Sequence, residues 1–322
     1  MMFPLHYLFM LTLIFGSFVA INSSSWLVAW MGLEMNLLSF LPLMASEKSS
    51  GGAESCIKYF LVQSMASLMI LISSVFVFSI LMFNSVDMIF IGLSIKLGVA
   101  PFHYWFPSVM EGLNWICCMV LMTWQKLAPL FLMSFVNLMM LMVIVTALVG
   151  AFGGFGQYSF KKILAFSSIN HIGWMLGGMM YETKVGMIYF LIYVLMSMLI
   201  VLTFMSFSIF SLNQMMSVSY FLSVMTLINL LSLGGMPPFL GFFPKWLIIE
   251  KIFWVSFFFA SILIFSSLVS LYFYLRVCYP ILLLQFLGSE DALGGTFLGG
   301  GMMAFFFLSS GGVFFYPLLS SI

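Results

Sequence analysis

Apolar residues run along this chain in blocks of about 20, separated by short clusters of polar residues, glycine and proline. A hydrocarbon layer about 30 Å thick is crossed by about 20 helical residues, so blocks of this length read as membrane-spanning helices. Cutting at the punctuation predicts eleven segments, at approximately 3–21, 25–45, 56–83, 88–107, 113–134, 136–153, 160–180, 184–210, 219–251, 254–285 and 299–320. The longest connections are SEKSSGGAES (Ser46 to Ser55) and the stretch around Glu290 and Asp291. Neither can hold a soluble domain, so residues 1–322 are expected to form a single membrane domain. The first twenty residues lack the basic start of a secretory signal and the Arg/Ser-rich pattern of a transit peptide, and read as the first span.

Two segments share an internal break. The fourth carries PFHYWFP (Pro101 to Pro107) and the ninth PFLGFFP (Pro238 to Pro244), with Pro, Phe, Phe and Pro in register at an offset of 238 − 101 = 137 residues. Each lies in the fourth segment of a run of five. The expected organisation is therefore a first five-helix repeat over 1–135, a second over 136–286 and a C-terminal helix over 287–322. Five is odd, so the second copy enters from the opposite face, an inverted arrangement typical of transporters. Proline has no N–H and clashes with the preceding turn, so each motif should divide its helix around unwound backbone. The fold class is all-α and polytopic, with about eleven transmembrane helices and two broken ones.

Composition sharpens this reading. The chain is 64% hydrophobic and 6% charged, with net charge +1; a soluble domain carries about 25% charged residues. No basic face is large enough for nucleic acid. Cys56, Cys117, Cys118 and Cys278 show no CxxC spacing and cannot supply an iron–sulfur set. No P-loop and no GxGxxG between a strand and a helix is present, and GAFGGFG (Gly150 to Gly156) follows an apolar helix, so no nucleotide, flavin or other cofactor is expected in this chain. His6, His103 and His171 are too dispersed for a metal site. Lys48, Lys58, Lys161, Lys162 and Arg276 fall on or near the N-terminal side and Lys184 and Lys251 opposite, which puts the N terminus inside.

Most charges lie at segment ends, where solvation or snorkelling explains them. Five groups do not. Glu34 is near the middle of segment two, Lys96 precedes the first break, Lys126 sits in TWQKLAPL, His171 in SSINHIGW, and Lys245 follows the second break. An ionisable side chain at a helix centre costs roughly 2.5–3.5 kcal/mol on insertion scales, so a functional reason is expected. The 137-residue offset also links Glu34 to His171 (34 + 137 = 171). Lysine changes protonation readily where arginine does not, which suits a proton relay. The competing reading is a permanent pair of Glu34 with Lys96 or another lysine that locks helices together. His103 in the first break either extends the wire or satisfies freed backbone, and Asn36, Gln63 and Gln125 either hydrate the path or tie helices together.

The stretches MGLEMNLLSFLP, IKLGVAPFHYWFP, TWQKLAPL, SSINHIGWM and GGMPPFLGFFPKW span residues 31–246. In their order and spacing the chain closely resembles the antiporter-like membrane subunits of NADH:ubiquinone oxidoreductase, respiratory complex I, in the mitochondrial chain 2 family. The resemblance implies proton translocation coupled to electron transfer elsewhere in the complex, with NADH, FMN, iron–sulfur clusters and ubiquinone in other subunits. It implies Glu34 as a modulating glutamate, Lys96 as the pumping lysine of the first broken helix, Lys126 as a connecting lysine, His171 between the two halves of the path, and Lys245 as the lysine of the second broken helix. Implied partners are other membrane-arm and accessory subunits and lipids such as cardiolipin; the implied location is the mitochondrial inner membrane, with the N terminus on the matrix side. Asn170 departs from the small apolar residue expected beside His171. Two other functions fit the same residues: an autonomous or multi-subunit cation/proton antiporter, against which stands the lack of a central aspartate cluster for dehydrated Na⁺, and a structural spacer whose charges serve assembly.

Overall fold

A computed structural model describes residues 3–46, 50–76, 85–136, 139–206, 209–212, 214 and 220–287. Among them the only β feature is an isolated bridge between Ser159 and Ser211. Thirteen α-helices follow in order: α1 Phe3–Ile21, α2 Trp26–Ala45, α3 Ser50–Phe76, α4 Ser85–Leu97, α5 Trp105–Gly112, α6 Trp115–Met122, α7 Trp124–Met133, α8 Met140–Gly153, α9 Phe160–Met179, α10 Thr183–Ser206, α11 Tyr220–Gly234, α12 Phe242–Phe253 and α13 Phe257–Leu287. The eleventh expected segment and the end charges Glu47, Lys48, Glu290 and Asp291 lie outside the described residues. Contacts divide the chain into two units, Met1–Thr146 and Ala147–Ile322. Among the described residues five helical stretches are long and apolar enough to cross a membrane, among them Trp115–Met133, which α6 and α7 form together.

The exposed faces of the helices carry large apolar side chains, and polar residues lie among the buried ones. Leu5, Leu8, Leu11, Phe15 and Phe18 of α1 are exposed, as are Phe257, Phe258, Phe265 and Leu268 of α13, whereas Ser17, Ser266 and Ser270 on the same helices are buried. In water such a surface would aggregate; against lipid tails it is the stable arrangement, and small or polar residues then mediate helix contact. In the first unit α1 meets α2 where a Cβ on Gly32 would fall 2.6 Å from the Ala20 nitrogen. In the second, α8 meets α9 where a Cβ on Gly150 would fall 2.3 Å from the Asn170 nitrogen.

Both breaks use the same local device. At the first, Gly98 N–H donates to the Ile95 carbonyl (3.1 Å) and Val99 N–H to Ser94 (2.9 Å); at the second, Gly235 N–H donates to Ser232 (3.0 Å) and Met236 N–H to Leu231 (3.3 Å). These are the paired bonds of a Schellman motif. It needs a left-handed residue after the helix, met by Gly98 at φ +76° and Gly235 at φ +78°, 235 − 98 = 137 residues apart. The helices on either side keep that register, with α4 ending at Leu97 and α11 at Gly234, and α5 starting at Trp105 and α12 at Phe242.

The expected fifth segment contains a break that the sequence reading ran through. Helix α6 stops at Met122 and α7 starts at Trp124, with Thr123 between them at φ −112°, ψ −74°. Pro129 inside α7 cannot donate to the carbonyl four residues back, and the Thr123 hydroxyl takes up the Met119 carbonyl (2.7 Å). Lys126 lies in the first turn after this break.

Alanine at either left-handed glycine should destabilise the fold, but unequally. At Gly98 a Cβ meets Phe106 at an ordinary 3.5 Å, so the cost is the left-handed backbone alone, about 1–2 kcal/mol. At Gly235 it would meet Lys245 Cδ and Nζ at 2.9 Å, so the side chain must also move. Thermal unfolding of the intact assembly should show a larger loss for Gly235→Ala than for Gly98→Ala; equal losses would contradict the tighter packing at the second break.

Candidate functional site

A helix C-terminus carries partial negative charge and unpaired carbonyls, and each break creates one inside the membrane domain. Lys96 belongs to the last turn of α4 and is 7% exposed. The carbonyls beside it are taken by side chains: Trp105 Nε1 donates to Ile95 (3.1 Å) and Gln63 Nε2 to Lys96 (3.4 Å). Among the described residues the Lys96 ammonium itself makes no hydrogen bond. Lys96 lines a small cavity, about 20 Å³, with Asn36, Tyr59, Gln63, Phe106, Gln125 and Lys126 together with apolar residues of the first unit.

The cavity thus brings together Lys96 and Lys126, one from each side of the first unit's polar interior. Lys126 is 2% exposed and its ammonium stands 4.9 Å from the centre of the Phe106 ring. Tyr59 donates through its hydroxyl to Gln125 Oε1 (3.4 Å). Buried Asn36 Oδ1 and Gln125 Nε2 have no hydrogen-bond partner among the described residues, which makes the walls polar and incompletely satisfied. Such surface suits water. Glu34, on α2, is near enough to act electrostatically on Lys96 and Tyr59 but does not line the cavity. No direct ion pair joins it to Lys96 among the described residues, and its Oε2 is buried without a hydrogen bond. The permanent-lock reading is not supported by this geometry.

The second unit builds its polar centre on α9, of which all but three residues are buried. This burial on every side is why α9 tolerates Ser167, Ser168, Asn170 and His171. Asn170 is accommodated by Ser266, whose hydroxyl donates to Asn170 Oδ1 (3.3 Å). His171 is 2% exposed; its Nδ1 lies 2.7 Å from the Tyr189 hydroxyl, and its ring stands 5.0 Å from that of Tyr193. One turn along α9, Trp174 lies beneath Lys245 Nζ at 5.8 Å. Lys245, 4% exposed, reaches back from α12 and donates to the Gly234 carbonyl (2.8 Å), the C-cap of α11.

Tyr59, Phe106, Trp174 and Tyr189 were not anticipated as site residues. The spacing held a signal: Tyr59 and Gln63, and Tyr189 and Tyr193, are i,i+4 pairs that put polar atoms on one helix face. His103 is buried in the first break, its ring 4.2 Å from that of Tyr104, with Nδ1 unpartnered among the described residues. Lys58 pairs with Glu54 and Lys251 with Glu182 in exposed positions, as expected for charges at helix ends. No three His, Cys, Asp or Glu side chains gather as a metal site among the described residues.

A family model described as "NADH:quinone oxidoreductase/Mrp antiporter, TM" matches residues 23–270, an interval that contains Glu34, Lys96, Lys126, His171 and Lys245. NADH-ubiquinone oxidoreductase chain 2 of Anopheles gambiae is 45% identical over 305 residues, covering 90% of this chain and 89% of its own. The chain belongs to the NADH-ubiquinone oxidoreductase chain 2 family. Chain 2 of Locusta migratoria is 39% identical, covering 86% and 85% of the two chains. Among solved structures, a chain of respiratory complex I from Thermus thermophilus shares the fold at TM-score 0.85 and 23% identity, covering 98% of this chain and 79% of that one. The Mrp complex of Dietzia gives 0.74 at 18% identity, covering 84% and 59%. The chain is therefore an all-helical, multi-pass membrane protein with the antiporter-like fold.

Lys245 has a measurable structural task. Lys245→Met removes the donor from the Gly234 carbonyl and is expected to cost about 1–3 kcal/mol. Thermal unfolding of the assembly should fall in Lys245→Met; an undiminished midpoint would show that the carbonyl finds another donor.

Proposed function

We propose that protons cross the membrane along Glu34 and the buried groups Lys96, Lys126, His171 and Lys245. Membership of the chain 2 family makes this chain a proton-translocating membrane-arm subunit of an NADH:ubiquinone oxidoreductase, where electron transfer in other subunits drives the movement. The observation that carries the proposed path is the cavity shared by Lys96 and Lys126, whose walls of amide, hydroxyl and ammonium groups suit a water-borne proton. Two cations in one desolvated compartment repel each other, so a change at Lys96 alters the proton affinity of Lys126. Glu34 sits where a change in its position or charge is felt by both Lys96 and Tyr59. Lys245 is tied to backbone and suits a gate, opened when it leaves Gly234.

The wider reading follows from the sequence. The chain has about eleven helices in two inverted repeats with a C-terminal helix, lies in the mitochondrial inner membrane with its N terminus on the matrix side, and contacts other membrane-arm subunits, accessory subunits and lipids such as cardiolipin. NADH, FMN, iron–sulfur clusters and ubiquinone belong to other subunits.

Lys96→Met removes the charge and keeps an apolar chain of similar length, so assembly should persist while pumping falls. Protons translocated per NADH oxidised, measured in vesicles whose complex abundance is checked on a native gel, should drop. A parental ratio in a fully assembled Lys96→Met complex would remove Lys96 from the path.

A further inference from the structure

The second unit contains a buried hydroxyl that the five-residue path leaves unused. Tyr189 on α10 is 1% exposed, and its hydroxyl lies 2.7 Å from His171 Nδ1, shorter than most N···O hydrogen bonds. Tyr193 on α10 and Tyr274 on α13 are buried around it and act on it electrostatically, Lys245 on α12 is reached through Trp174, and α8 presents no titratable side chain. Building on His171's place in the proposed path, we infer that Tyr189 is a proton-transferring residue, through which His171 exchanges its proton at Nδ1.

The chemistry balances without an ionised phenol. With His171 neutral, the Tyr189 O–H donates to Nδ1, which leaves the ring proton on Nε2. In the transfer, the Tyr189 O–H bond breaks as the Nδ1–H bond forms, and the tyrosine oxygen takes a proton from the water side of the path in the same step. The imidazolium then releases its Nε2 proton onward. One proton enters at the tyrosine, one leaves at the imidazole, and both residues end neutral. Phenylalanine keeps the ring packing against α9 and cannot perform either half.

Proton yield per NADH and its pH profile in vesicles carrying the intact complex, normalised to assembled complex, test this with Tyr189→Phe, His171→Gln and the double variant. Tyr189→Phe is expected to lower the yield to that of His171→Gln, with a pH profile that superimposes on that variant, and the double variant to fall no further. A parental yield and profile in Tyr189→Phe while His171→Gln is impaired would overturn the inference and leave the path intact. A parental yield in His171→Gln would overturn it together with His171's place in the path. If Tyr189→Phe does not assemble, Tyr189→Met removes the same hydroxyl and carries the same expectations.

Discussion

Backbone N–H and C=O groups cannot be left bare in hydrocarbon, and this chain interrupts two helices where that rule is strictest. The Schellman bonds around Gly98 and Gly235 satisfy part of each broken end, but the last carbonyls still point into the interior, with the negative pole of the helix behind them. Donors and cations must collect there. At the first break the carbonyls of Ile95 and Lys96 are satisfied by Trp105 and Gln63, which leaves the Lys96 ammonium facing the cavity. At the second, Lys245 itself satisfies Gly234. One backbone device thus produces two lysines of different standing: one responsive to its surroundings, the other held.

The polar interior depends on the same economy. Residues that would be costly against lipid are confined to faces covered by other helices, as on α9, while α1 and α13 turn their large apolar side chains outward. Close helix contact at glycine makes this possible, because Asn170 can lie directly against Gly150 and still be met by Ser266. A bulkier interface would open the interior and expose Ser167, Ser168 and His171, at a cost that a few side-chain hydrogen bonds would not offset.

Much of this was legible in the sequence because it was written in positions that backbone physics restricts. Pro101, Pro107, Pro238 and Pro244 located both breaks, and the 137-residue spacing that they define recurs in Gly98 and Gly235 and in the bounds of the flanking helices. Lysines within apolar runs were visible by their cost. The break at Thr123 was not, because its causes, a threonine hydroxyl and a proline six residues later, occur in unbroken helices too. Nor were Tyr189 and Trp174, since an aromatic residue in a chain with 39 phenylalanines carries no distinguishing signal until the fold sets it beside His171 or Lys245.

The lysines do not obey the repeat, and that departure bears on the proposed mechanism. Lys245 corresponds by offset to Ser108, and Lys96 to Leu233, so one lysine precedes its break and the other follows it, and of the two only Lys245 binds a helix C-terminus among the described residues. Glu34 is matched by His171, a group that is neutral when deprotonated where a carboxylate is negative. Here the first unit offers two ammonium groups in a polar cavity beside a carboxylate, and the second an imidazole among tyrosines with a lysine held by backbone. The repeated backbone supplies the two interruptions, and the unlike side chains make the two polar interiors chemically different.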